Sequence, residues 1–122
     1  MRNKNIAVLL TCFNRKEKTL VCLNSFFEAD MPKGYEFDIY LVDDGSTDGT
    51  SEAVKENYPN IEIIKGNGNL YWAGGMRLAW TTALERKDYD AFLLLNDDVI
   101  LFDDFLDNLI KTEKYALNKD KK

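Results

Sequence analysis

Four short apolar segments, each followed by polar or acidic residues, divide the chain into a regular pattern. The segments are Ile6–Thr11, Phe37–Val42, Ile61–Lys65 and Ala91–Leu95, and they are rich in Ile, Val and Leu. Such runs predict β-strands, and near-continuous hydrophobicity is typical of parallel strands that are covered on both faces. We therefore predict a parallel sheet at the centre of the molecule.

The segments between the predicted strands carry helical patterns. In the first segment, Asn14 followed by Glu17 resembles a capping box, and apolar residues at helical spacing predict a helix over about Arg15–Glu28. A shorter helix is predicted over Thr50–Tyr58, because Pro59 ends the pattern. A third, longer helix is predicted from an apolar stripe at positions i, i+3, i+4 and i+7. The residues of this stripe are Met76, Ala79, Trp80 and Ala83.

A last helix is predicted after the fourth strand, with Asp103 as its N-cap. Its buried stripe would be Phe105, Leu106, Leu109 and Ile110. The resulting order predicts an α/β fold with a doubly wound, mainly parallel sheet and right-handed crossovers. We expect one domain over residues 1–117, followed at 118–122 by a lysine-rich tail or by the point where a longer chain was truncated.

Composition and charge exclude several classes of protein. The chain has 122 residues, 45% hydrophobic and 30% charged, as a single globular domain would. A net charge of -5 and the lack of a basic stripe argue against nucleic-acid binding. Histidine is absent, which excludes histidine bases and histidine metal ligands, so any metal would be bound by oxygens. The spacing of Cys12 and Cys22 fits neither a metal knuckle nor a redox pair, and we interpret both as reduced packing residues.

No segment is a candidate membrane span. The longest apolar stretch near the start, Ile6–Leu10, is much shorter than a bilayer requires. A cytoplasmic location is therefore expected.

Polar clusters follow all four predicted strands, where an open parallel sheet binds its ligand. They cover Thr11–Arg15, Asp43–Gly49, Lys65–Asn69 and Asn96–Asp98. Ordinary turn chemistry of Asp and Gly explains any one of these clusters. It explains two Asp-Asp pairs beside buried strands less well, because adjacent carboxylates repel each other unless a cation or a donor-rich ligand lies between them.

The turn after the first strand lacks the glycines that bind phosphate through backbone N–H groups. It reads Cys12–Arg15, which excludes a dinucleotide fingerprint, and no P-loop is present elsewhere. A diphosphate would then be neutralised by a hard cation such as Mg²⁺ or Mn²⁺ held on carboxylate oxygens. Asp97 and Asp98 are the predicted hosts.

Three segments, in order, resemble the motifs of glycosyltransferase family 2, which has the GT-A fold. Ile6–Arg15 resembles its opening strand and turn, Leu41–Thr50 its acidic second loop, and Leu95–Asp98 its metal motif. The resemblance covers nearly the whole chain, and the second motif is the most specific. It implies the nucleotide-sugar-binding, Rossmann-like half of an inverting glycosyltransferase, truncated before the acceptor-binding part.

The resemblance also implies roles for individual residues near the base and ribose. Thr11 and Phe13 would line the pocket for these groups, with Arg15 near it. Asp44 would accept a hydrogen bond from a pyrimidine N–H, and Asp43 would support the loop.

The remaining implied site residues follow the fourth strand. Asn96 and Asp97 would contact the donor, with Asp97 at the ribose or at the water shell of the metal. Asp98 would ligate the divalent metal, Mn²⁺ or Mg²⁺. The implied partners are a nucleoside-diphosphate sugar and a saccharide or glycoconjugate acceptor. Polysaccharide assembly at the inner face of the cell membrane, through parts outside this chain, is the expected setting.

Three features stay open at this point. Tyr71 and Trp72 would form an apolar wall for a ligand or pack within the protein. The Gly74–Gly75 pair would bring backbone close to a ligand or bring a helix close to the sheet. Arg77 would reach a phosphate or lie on an exposed helix face.

The resemblance leaves the catalytic base unassigned. Inverting members use a carboxylate well downstream of the metal motif to deprotonate the acceptor. Asp103, Asp104 and Asp107 follow that motif too closely and are predicted to cap and flank a helix. We therefore expect the base to lie outside this chain, which alone would bind a nucleoside diphosphate with metal and transfer sugar poorly or not at all.

Three other classes compete with this interpretation. A receiver-type signalling module would carry its acidic pair after the first strand, where this chain has Thr11. A nucleotidyltransferase would need a glycine-rich loop and basic residues at the same place. A non-catalytic module that binds only a nucleotide or a partner subunit remains open.

Overall fold

The computed structural model describes residues 3–98 and 100–101, and strands and helices alternate through them. The elements are β1 (Lys4–Cys12), α1 (Lys16–Glu28), β2 (Tyr35–Asp43), α2 (Thr50–Asn57), β3 (Glu62–Lys65), α3 (Tyr71–Arg86) and β4 (Ala91–Leu94). The helix predicted to begin at Asp103 and the tail at 118–122 lie outside the described residues, so the domain limits stay predictions. No helix among the described residues is long and apolar enough to cross a bilayer.

Within the described residues, four strands form one sheet in the order β3-β2-β1-β4, and every neighbouring pair is parallel. The chain leaves β3 at one edge and returns as β4 beside β1, so the strand order reverses between β1 and β4. The predicted α/β fold with a doubly wound parallel sheet is confirmed. The reversal point is where such sheets bind ligands.

Alternate residues of β1 point into two separate cores, one on each face of the sheet. Val8 and Leu10 pack with buried residues of α1 and α2. Ala7 and Leu9 pack with buried residues of α3. This two-sided burial explains why the strand sequences are hydrophobic at successive positions.

The capping box predicted for Asn14 and Glu17 at the start of α1 is wrong. The helix begins at Lys16, and the N-cap residue Arg15 makes no side-chain cap bond. Asn14 adopts a positive φ, and its Oδ1 instead accepts a hydrogen bond from the Thr47 N–H at 2.7 Å. The cap comes from the β2–α2 loop, where Asp48 Oδ2 accepts the Lys16 N–H at 3.0 Å. A carboxylate from a distant loop satisfies the helix end, so Asn14 is available to join the two loops.

The buried stripe of α3 is narrower than predicted. Met76, Ala79 and Ala83 are buried, but Trp80 is 49% exposed. The small alanines bring the helix close to the sheet, which leaves the Trp80 ring at the side, edge-on to Phe92 of β4.

Candidate functional site

A cleft of about 380 Å³ opens at the carboxyl ends of β1, β2 and β4, at the point where the strand order reverses. Its lining residues are Thr11, Cys12, Phe13, Arg15, Asp44, Gly68, Tyr71, Trp72, Asn96, Asp97 and Asp98. The cleft thus brings together every residue that the sequence assigned to the site except Asp43. The topology explains this, because parallel strands all end at the same edge.

Asp43 lies beneath the cleft and not on its wall. It is buried, Oδ1 accepts the Ser46 N–H at 2.9 Å, and Oδ2 accepts a hydrogen bond from the Ser51 hydroxyl. Both carboxylate oxygens therefore hold the β2–α2 loop to the start of α2. The Lys65 ammonium is 4.0 Å from Oδ2 and is mostly exposed.

Asp44 organises the β3–α3 loop. Its Oδ1 accepts the Gly68 N–H at 2.8 Å, and Oδ2 accepts the N–H groups of Leu70 and Tyr71, both at 3.0 Å. A side chain at Gly66 would place its Cβ 2.6 Å from Asp44 Oδ1, so the close approach of this loop requires glycine. The carboxylate thus caps the first residues of α3 from another loop.

Asp97 and Asp98 are held differently, by side chains. The Arg15 Nη1 atom is 3.2 Å from Asp98 Oδ2 and 3.7 Å from Asp97 Oδ1. The buried Thr19 hydroxyl donates to Asp97 Oδ2 at 3.3 Å. Burial raises the pKa of the Asp97 carboxyl above its usual range, and the Arg15 guanidinium acts in the opposite direction.

Thr19 is a site residue that the sequence analysis missed. It is fully buried on the face of α1 that also carries Cys22 and Leu23. A polar side chain at a buried helical position, four residues after Arg15, was the available signal.

The donor set suits a hard divalent cation that binds together with a phosphorylated ligand. Among residues 3–98 and 100–101, no group of three or more Asp, Glu, His or Cys side chains is placed to hold a metal. Three carboxylates line the cleft; Asp44 already accepts three backbone N–H groups, and Asp97 and Asp98 are the two that contact only side chains of other residues. Mg²⁺ and similar ions are commonly bound by one or two carboxylates, with water and substrate phosphates completing the coordination.

The two aromatic residues at the start of α3 belong to the cleft. Tyr71 and Trp72 are exposed and line it, which argues against the core-packing interpretation. The Trp72 indole Nε1–H donates to Asn96 Oδ1 at 3.1 Å and links α3 to the end of β4. Arg77 is exposed and does not line the cleft, as expected for an exposed helix face.

Gly75 places α3 directly on Thr11. A Cβ at Gly75 would overlap the Thr11 side chain, whereas one at Gly74 would meet Leu70 Cβ at 3.3 Å. The close helix-on-strand packing explains Gly75. Among the described residues, Thr11 Oγ1 is a buried side-chain oxygen without a hydrogen-bond partner, and Thr11 lines the cleft. Buried polar atoms without a partner are rare in folded proteins.

Cys12 and Cys22 are buried thiols, which agrees with the packing interpretation. Burial, followed by the charge of Asp43, raises the pKa of the Cys12 thiol. A thiol in this state is a poor nucleophile, although Cys12 contributes to the cleft wall.

Comparison with known families decides the classification. The model of glycosyl transferase family 2 matches residues 7–114. The chain belongs to this family. The match confirms the predicted family and argues against the receiver-type and nucleotidyltransferase interpretations.

Relatives within and around the family share the sequence or the fold. Hyaluronan synthase of Streptococcus pyogenes is 30% identical over 112 residues, which are 88% of this chain and 26% of that protein. TarS of S. aureus in complex with UDP-GlcNAc has a TM-score of 0.69 and 25% identity over 94% of this chain and 32% of that one. A mannosyltransferase of Pyrobaculum calidifontis in complex with GDP-Man and Mn²⁺ shares the fold, with a TM-score of 0.69 and 23% identity over 91% of this chain and 32% of that one. The chain thus spans a quarter to a third of the length of these proteins.

Proposed function

We propose that this chain is the donor-binding part of an inverting glycosyltransferase. It binds a nucleoside-diphosphate sugar with Mg²⁺ or Mn²⁺, for transfer to a saccharide or glycoconjugate acceptor. The observation that carries the proposal is the convergence of Thr11, Asp44, Asp97 and Asp98 on one cleft at the strand reversal of a family 2 fold. TarS, which has the same fold, is known in complex with UDP-GlcNAc.

The part of the cleft lined by Thr11, Phe13 and Asp44 is suited to a pyrimidine nucleoside. Three backbone N–H groups bond to Asp44, and an ionised carboxylate has about four acceptor positions, so one remains for an imide N–H. Phe13 is 53% exposed beside it and offers an apolar ring to the base or ribose. Thr11, whose buried Oγ1 has no hydrogen-bond partner among the described residues, also lines this part of the cleft.

The part of the cleft lined by Arg15, Asp97 and Asp98 is suited to the diphosphate. A bound divalent ion would supply Lewis-acid stabilisation of the leaving diphosphate. Asp98, half-exposed at the cleft, would ligate it, while Thr19 orients Asp97 beside it. Arg15 supplies a guanidinium that matches phosphate oxygens in geometry and charge.

Binding, and not turnover, is the appropriate test, because the general base is expected outside these residues. Calorimetric titration of the chain with UDP and GDP, with and without Mn²⁺, should show metal-dependent binding that is tighter for UDP. Asp98→Ala should weaken Mn²⁺-dependent UDP binding at least about 10-fold, or about 1.4 kcal/mol.

Asp88→Ala is the matched control. Asp88 is an exposed carboxylate that precedes the amino end of β4, whereas the cleft lies at the carboxyl end of this strand. It should leave UDP affinity unchanged. Equal affinity of the unmodified chain for UDP with and without Mn²⁺ would contradict the metal role, and lack of nucleotide binding would contradict the proposed function.

A further inference from the structure

We propose that Arg15 is an internal cation that the divalent metal displaces, and that this displacement couples metal binding to diphosphate binding. The inference rests on the proposed function and adds a regulatory property to the same site. Without metal, the guanidinium partly balances the charge of Asp97 and Asp98. With metal and nucleotide bound, it moves to the phosphates.

The geometry places one nitrogen atom against both carboxylates. Arg15 Nη1 is 3.2 Å from Asp98 Oδ2, within hydrogen-bond distance, and 3.7 Å from Asp97 Oδ1. Among residues 3–98 and 100–101, these are the ion pairs that reach either carboxylate. A metal ion ligated by Asp98 would approach the same oxygen, and two cations would then repel each other at short distance.

The Arg15 side chain is able to leave while its backbone stays in place. It is 48% exposed, whereas the Asp97 side chain beside it is only 10% exposed. The Arg15 carbonyl accepts the Thr19 N–H at 2.8 Å, and Asp48 holds the next residue, Lys16, at 3.0 Å. Displacement therefore requires only new side-chain rotamers at Arg15.

A diphosphate in the cleft provides the displaced guanidinium with a new partner. Arg15 lines the same cleft as Asp44 and Phe13, which we assign to the nucleoside. Guanidinium binds phosphate oxygens in bidentate geometry. Arg15 therefore opposes metal binding when the diphosphate is absent and favours metal binding when the diphosphate is present. By thermodynamic linkage, each ligand then raises the affinity for the other by the same factor.

A purely structural ion pair predicts the opposite result. If Arg15 only fixed the conformation of Asp97 and Asp98, its removal would weaken metal binding. If Arg15 competes with the metal, its removal strengthens the binding of metal alone and reduces the coupling to nucleotide. The sign of the change in metal affinity thus separates the two roles.

The test is a titration of the full 122-residue chain with Mn²⁺, followed by electron paramagnetic resonance, without and with saturating UDP. For Arg15→Gln we expect affinity for Mn²⁺ alone to rise about 3-fold or more, and the factor by which UDP enhances it to fall at least about 5-fold. Arg15→Lys, which keeps the charge without the planar fork, should retain part of the coupling.

Arg77→Gln is the matched control and should change neither quantity, because Arg77 is exposed outside the cleft. Unchanged or weaker Mn²⁺ binding by Arg15→Gln, in a chain that binds Mn²⁺ and UDP normally before substitution, would overturn this inference alone. Failure of the unmodified chain to bind Mn²⁺ in the presence of UDP would overturn the proposed function as well.

Discussion

The chain carries two Asp-Asp pairs at the ends of buried strands, and the structure uses them in different ways. Asp43 and Asp44 are buried and accept hydrogen bonds from backbone N–H groups and a serine hydroxyl. The buried Asp97 and the half-exposed Asp98 contact the side chains of Arg15 and Thr19 and line the cleft.

The two acidic pairs differ in the hydrogen-bond donors that surround them. The β2–α2 and β3–α3 loops fold back over the first pair and direct their N–H groups at it. At the second pair, the side-chain donors among the described residues are one guanidinium and one hydroxyl. Fixed donors tie the first pair to the fold and leave one acceptor position at Asp44, whereas a half-exposed side-chain cation balances the second pair.

The largest expected effect on stability is at Asp43. Asp43→Ala removes two hydrogen bonds and leaves the Ser46 N–H and the Ser51 hydroxyl without their acceptor. The free energy of unfolding should fall by about 3 kcal/mol. Urea denaturation with linear extrapolation measures this loss.

The same substitution at Asp98 provides the comparison. Asp98→Ala removes a half-exposed ion pair and should change the free energy of unfolding by less than about 0.5 kcal/mol. Equal losses at Asp43 and Asp98 would show that the two pairs are not distinct.

The second-largest effect on stability is expected at Asp44. Asp44→Asn replaces one acceptor oxygen with an NH₂ group that faces backbone donors of the β3–α3 loop. Unfolding free energy should fall by about 2 kcal/mol, and UDP affinity should fall with it. Retained stability with lost UDP binding would assign Asp44 to the ligand alone and remove its structural role.

Gly75 lies against the Thr11 side chain, and the effect expected there is smaller than at Asp44. Gly75→Ala places a methyl group in the Thr11 side chain and should destabilise the chain by about 1.5 kcal/mol despite the better helix propensity of alanine. Gly74→Ala, one position earlier in α3, has the same propensity gain and a milder contact with Leu70. Thermal unfolding of both variants should rank Gly75→Ala below Gly74→Ala, and the reverse order would contradict the packing role.

The smallest effect concerns pH and Asp48, the exposed carboxylate that caps α1 and α2. Hydrogen bonding, first from Thr50, lowers the pKa of Asp48 below its usual value of 3.8. The folded state thus binds the proton less readily, so this stabilisation is present above the usual value and is lost as pH falls through the folded-state pKa. The stability difference between the unmodified chain and Asp48→Asn should shrink from about pH 7 to about pH 2. Asp88→Asn is the control, and a difference at Asp48 that does not depend on pH would contradict this assignment.

Much of the fold was predictable from local pattern. The two-sided hydrophobicity of β1 predicted a covered parallel strand, and the polar strand ends predicted where the cleft would form. The cap of α1 was not predictable, because Asp48 reaches Lys16 from 32 residues away. Trp80 was placed in the buried stripe because periodicity does not reveal that, within the described residues, β4 is an edge strand and the Trp80 ring lies beside its Phe92.

The sequence by itself determined that the chain forms a parallel α/β sheet with carboxylates at its ligand-binding edge, and that a metal there would be held by oxygens. These properties follow from residue type and short-range spacing. Only the tertiary structure decided which carboxylates serve the fold and which remain available. The backbone donors to Asp44 lie 24 to 27 residues along the chain, whereas Asp98 lies 83 residues from Arg15. Contacts at such separations depend on how the loops meet in space, which local pattern does not encode.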